Sequence, residues 1–140
     1  EGRIEVISRE PTPAGVELKV TNLQGLATVK ARVNGVEADA DFDLGNGSGV
    51  LIGKAFAEEL GLLNELSALE RRKGGGVGGE VERAIVRLAT LEIAGETFHD
   101  FEAAVDETDS AGALNVGVGL LRKFRITTDF SESRLWLDPR

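Results

Sequence analysis

Asp43, in the stretch Phe42-Asp43-Leu44-Gly45-Asn46-Gly47-Ser48-Gly49, is a carboxylate at the mouth of a loop almost free of side chains. Such an Asp has three uses: turn chemistry, a cation site, or acid/base catalysis in which small residues leave room for a substrate. Asp39, Asp41 and Asp43 occupy positions one, three and five of a possible calcium loop. That loop needs Gly at position six and a bidentate Glu at position twelve, where this chain has Leu44 and Val50. Asp39 and Asp41 read better as the solvent face of a strand, and no metal site is expected.

Other chemistry-bearing residues have blander readings. Gly74 to Gly79 fits G-x-G-x-x-G literally, but the dinucleotide fingerprint requires a strand before it and a helix opening within it. Here "LERRK" precedes and "EVERAIV" follows, the inverse order, so a flexible hairpin tip or a solvated loop is the expectation. Ser48 lies in "GNGSG", outside the G-x-S-x-G pattern. His99, the single histidine, reads as a surface strand residue, and Trp136 between Leu135 and Leu137 reads as packing.

The elements that must position Asp43 are legible around it. Ala27, Val29, Ala31 and Val33 alternate with polar residues, as do Val36, Ala38, Ala40 and Phe42 after Asn34-Gly35. Asn-Gly between alternating runs predicts a two-residue type I′ hairpin. Pairing Val33 with Val36 then sets Arg32 opposite Glu37 and Lys30 opposite Asp39, so the charges agree with the turn. The second strand runs directly into Asp43.

Elsewhere, strand-like runs span Ile4 to Ile7, Val16 to Val20, Val81 to Ile93 and Phe98 to Val105, with a tight turn at "IAGET". Lys54 to Leu60 predicts a short helix closed by Gly61. Asn64 to Arg72 is ambiguous and is compatible with a second helical turn; residues 73–79 predict a mobile loop. "LNVGVGLLRKF" joins a short apolar strand to a helix, and "RITTDF" and "RLWLDP" form a closing hairpin.

The totals bound the function. The chain has 140 residues, 41% of them hydrophobic, with 18 glycines and 3 prolines, which predicts a single mostly β globular domain. A net charge of −8 argues against nucleic acid or an anionic membrane surface as partner. No apolar run approaches the ~18 residues of a membrane span. Without cysteine there is no disulfide framework and no thiol nucleophile. The chain begins at Glu1 without Met or a leader, which predicts a processed product or a domain of a longer chain, and export to a periplasm is compatible with it.

The order of these pieces resembles the retropepsin-like aspartic proteases, the half-molecule relatives of pepsin that include the retroviral proteases and bacterial single-domain forms. The likeness runs from Leu26 to Leu137. "ATVKARVNGVEADADFDLGN" is similar to the opening hairpin and Asp-Thr-Gly triplet, with Asp43 at the catalytic position and Gly45 at the triplet glycine. "VLIGKAFAEELGL" is similar to the strand and helix that follow, "GGGVGG" resembles the flap, and "NVGVGLLRKFRITTDF" resembles the apolar-apolar-glycine segment with its helix and strand.

The resemblance implies an all-β closed barrel with one or two short helices, residues 26–140, preceded by an extension over 1–25. It implies an aspartic endopeptidase acting on extended peptides without a cofactor. Asp43 would be the acid/base, Leu44, Gly45 and Asn46 its loop, and Gly75, Gly76, Val77 and Gly78 the flap. One chain supplies one such Asp, so the active unit is a homodimer or a pairing with a second lobe. Leu44 departs from the family's Thr or Ser, whose hydroxyl bonds across to the partner's loop, and Asn46 replaces a usually small residue. The alternative implied by Leu44 is a non-catalytic peptide-binding or dimerisation domain of the same fold.

Overall fold

A computed structural model describes residues 3–8, 11–23, 26–76, 79–108 and 110–140. Among the described residues, eleven strands and two short α-helices follow one another. They are β1 (Val16–Lys19), β2 (Thr21–Leu23), β3 (Leu26–Val33), β4 (Val36–Phe42), β5 (Val50–Gly53), α1 (Lys54–Glu59), β6 (Arg71–Gly76) and β7 (Gly79–Ile93). After them come β8 (Glu96–Asp106), β9 (Leu114–Val116), α2 (Val118–Leu121), β10 (Phe124–Asp129) and β11 (Arg134–Pro139).

The first hairpin forms with the register that the charges predict. Val33 pairs with Val36, Arg32 with Glu37 and Lys30 with Asp39, around Asn34 and Gly35 at φ 49° and 84°. Lys30 Nζ lies 2.8 Å from Asp39 and 3.6 Å from Glu37. The inward face carries Val29, Ala31, Val33, Ala38, Ala40 and Phe42, all buried.

Ladders link β3 to β4, β4 to β9, β9 to β5, β5 to β8, β8 to β7, and β7 back to β3. Six strands thus close on themselves, which removes most exposed edges. The closing seam is short, Arg32 with Glu92 and Val33 with Leu91. Within the ring Val33, Ile52, Leu88, Leu91, Leu114 and Val116 are fully buried. β1, β11 and β10 form a separate antiparallel sheet, in which Trp136 is buried beneath the Arg134 guanidinium, 5.1 Å from its ring.

Helix α1 buries Phe56 and Ala57 and ends as its glycine predicts. Gly61, at φ 70°, donates to Glu58 O, and Leu62 donates to Ala57 O, the paired bonds of a Schellman stop.

Two expectations fail and one holds in part. Ile4 to Ile7 forms no strand, and Ile4 and Val6 are wholly exposed: alternation without a ladder partner has nothing to bury. Asn64 to Arg72 is not a helical turn throughout; Leu66–Ala68 makes one 3₁₀ turn, and Arg71 already opens β6. Residues 73–76 are not loop but strand, paired with β7 from Lys73–Glu82 to Gly76–Gly79, because backbone ladders need no side chains. No helix among the described residues is long and apolar enough to cross a membrane.

Candidate active site

Asp43 follows β4 and opens the loop to β5. These two strands are not neighbours, because β9 lies between them, parallel to β4 and antiparallel to β5. The loop therefore bridges the end of β9, and the chain leaving β9 passes against it. Gly117, Val118 and Gly119 donate their N–H groups to Gly49 O (2.7 Å), Asn46 O (2.8 Å) and Ser48 O (2.7 Å). Asp43 N–H donates to Val116 O at 3.0 Å, tying the start of the loop to the same strand.

Asp43 is half-buried, and both of its carboxylate oxygens are held. Gly45 N–H donates to Oδ1 at 2.8 Å, and Asn115 Nδ2 donates to Oδ2 at 3.1 Å. A Cβ on Gly45 would stand 3.1 Å from Oδ1, so a small residue suits that place. Asn46 Nδ2 donates to Asn115 Oδ1 at 2.8 Å, and Ser48 donates to Asn46 Oδ1 through its N–H (2.9 Å) and its hydroxyl (2.5 Å). Leu44 points its side chain outward and is 60% exposed.

Sequence reasoning missed Asn115. It sits between Leu114 and Val116, all three buried, and is 6% exposed. An amide inside an apolar strand needs hydrogen-bond partners, and that is the signal available from "LNVG". Asp41, one residue pair along the same strand face from Asp43, accepts a bond from the buried Thr28 hydroxyl at 3.1 Å. Burial pushes the Asp41 carboxyl up; Asp43 and Asp39 add to this, and the Thr28 hydroxyl opposes it.

Gly75 and Gly76 close β6 at the tip end of its hairpin with β7, where Gly75 pairs with Glu80. Val77 and Gly78 lie outside the described residues. The base of this hairpin carries an ion-pair cluster. Arg72 bridges Glu70 (2.6 Å) and Glu102 (2.8 Å), and Arg87 bridges Glu102 (3.0 Å) and Asp100 (2.8 Å). His99 is exposed on β8, and Ser48 is exposed in the loop. No cluster of potential metal ligands occurs among the described residues.

A closed ring of strands, a central strand threaded between the two arms of an Asp-x-Gly loop, and a long glycine-tipped hairpin define the retropepsin-like fold. Residues 29–121 match the sequence model of the family described as aspartyl protease, and the chain belongs to that family. Among solved structures it is similar to a retropepsin-like aspartic protease from Rickettsia conorii, with 24% identity and a TM-score of 0.68 over 87% of this chain and 88% of that one. It is also similar to the retroviral protease-like domain of Ddi1 from Leishmania major, with 24% identity and a TM-score of 0.54 over 81% and 88% of the two chains. At these identities the likeness is one of fold. A search of curated proteins finds no match.

Proposed function

We propose that this protein is an aspartic endopeptidase that cleaves extended peptides, with Asp43 contributed by each of two copies, or by one copy and a second lobe. The observation that carries this reading is the Asp43 carboxylate, half-buried and held at both oxygens inside a glycine-rich loop, in a chain of the aspartyl protease family.

Two such carboxylates facing one another share one proton, because like charges at contact distance cannot both ionise. The ionised member takes a proton from a water between them as its oxygen bonds to the scissile carbonyl carbon. The protonated member gives its hydrogen to the carbonyl oxygen. The member that took the water's proton passes it to the amide nitrogen, the C–N bond breaks, and a diol hydroxyl returns its proton to the other member as the carboxyl product forms. Gly75 and Gly76, with Val77 and Gly78, act as the flap that closes over the peptide. The peptide pairs by its backbone as an added strand.

A second reading is favoured by one observation. Leu44, exposed beside Asp43, offers no hydroxyl to a partner loop, which suits a domain that binds peptide or dimerises without cleaving.

The test is digestion of an unstructured protein at pH 4 to 6 by the wild type and by Asp43→Asn. Cleavage by the first alone supports the peptidase. Cleavage that persists in the variant refutes Asp43 as its acid/base, and peptide binding without cleavage by either protein selects the second reading. Solution mass with and without a statine-type inhibitor reports whether two copies form the cleft.

A further inference from the structure

Asn115 is a buried polar side chain of β9, flanked by the fully buried Leu114 and Val116. Both ends of its amide are committed. Ser48 donates to Asn46 Oδ1, Asn46 Nδ2 donates to Asn115 Oδ1, and Asn115 Nδ2 donates to Asp43 Oδ2. Every donor in this row lies on the side away from the carboxylate. The amide dipoles therefore add, with their positive ends toward Asp43, and successive bonds polarise one another. Gly45 N–H holds the second oxygen. An ionised carboxylate is an acceptor only, and this arrangement offers it donors on both sides.

We propose that Asn115 is a positioning residue for Asp43, and that the row from Ser48 through Asn46 to Asn115 orients and polarises the carboxylate from within a single chain. Each copy then brings an already oriented acceptor to the twofold axis, and the loop geometry needs no donor from the partner. The inference rests on the peptidase reading for its catalytic consequence. Its structural core, the amide held against Asp43, stands apart from that reading.

The experiment compares wild type with Asn115→Leu, which keeps the bulk and removes the donor. It measures steady-state cleavage and solution mass. Expected are a fall in kcat of about tenfold to a hundredfold, a KM changed by less than about threefold, and an unchanged mass. A kcat equal to that of wild type, or a loss carried by KM alone, overturns the proposal.

If Asn115→Leu does not fold, Asn46→Ala leaves Asn115 in place without its support. A smaller change in the same direction supports the proposal, and none overturns it. If the wild type cleaves nothing, the peptidase reading falls by itself, and the positioning claim is decided by hydrogen exchange of the Asn115 side-chain amide. Exchange that speeds up in Asp43→Ala supports it, and exchange equal in both proteins overturns it.

Discussion

Gly117 lies so close to the carbonyl of Ser48 that a Cβ on it would stand 2.5 Å from that oxygen, and 2.7 Å from the Asn46 side chain. Its φ of −97° is open to any residue, so space reserves the place for glycine, and backbone freedom does not. Gly117→Ala must push the Asp43 loop away from β9. Overpacking of this kind costs about 1 to 3 kcal/mol, to be read from urea unfolding. A loss below about 0.5 kcal/mol would show that the loop yields freely.

The exposed side chain of Leu44 stands directly after Asp43. Under the twofold arrangement proposed above it meets its counterpart, and burying it contributes about 1 to 2 kcal/mol per copy. Leu44→Asp replaces this with facing charges, so sedimentation should show a monomer and cleavage should vanish. A dimer that persists in Leu44→Asp would remove Leu44 from the interface.

Burial holds the Asp41 carboxyl above its ordinary 3.8 in the folded chain, and Asp43 and Asp39 reinforce the effect. The folded state thus binds this proton more tightly than the unfolded state does. Its contribution is whole below 3.8 and is lost as pH rises through the raised value. Asp41→Asn should therefore melt above wild type at pH 7, and the gap should close below pH 3.8. Equal melting temperatures at pH 7 would contradict this.

Asp106 titrates in the opposite sense. Burial alone would raise its carboxyl, but the hydroxyls of Thr108 and Ser110 and the N–H groups of Ala111 and Thr108 outweigh it and hold it at about 2. The stabilisation is full above 3.8 and disappears as pH falls through about 2. Asp106→Asn should cost roughly 2 kcal/mol at pH 6, with the difference fading toward pH 2. A constant difference from pH 6 to pH 2 would show that packing, not charge, is responsible.

Among the described residues β6 lies at the sheet edge and pairs with β7 alone. The Arg72 bond to Glu102 draws the Glu102 carboxyl below its ordinary range and links this edge to β8. Glu102→Gln should speed amide exchange across residues 71–76, and added salt should do the same to wild type. Unchanged exchange in both cases would mean that the backbone ladder alone holds the hairpin.

The parts legible in the sequence are those where a side-chain pattern reports a backbone requirement. Asn34-Gly35 fixed a turn, the turn fixed a register, and Lys30 and Asp39 checked it independently. Gly61 announced the end of α1 because its left-handed φ excludes most residues. The strand Arg71–Gly76 left no such trace, since glycines pair through their backbone without periodicity. Ile4 to Ile7 shows the reverse case, a pattern without a partner. Asn115 stayed hidden because its reason for being buried lies 72 residues away in sequence, at Asp43.

Asn34 does more than bend the first hairpin. Its N–H donates to Thr90 O, and its Oδ1 accepts from Thr90 N–H, both at 3.0 Å, beside the two residue pairs that close the ring. One side chain thus acts as hinge pin and rivet together. Aspartate in its place would preserve both the bend and the acceptor, whereas glycine would preserve the bend and lose the Oδ1 clasp that makes a ribbon into a hoop.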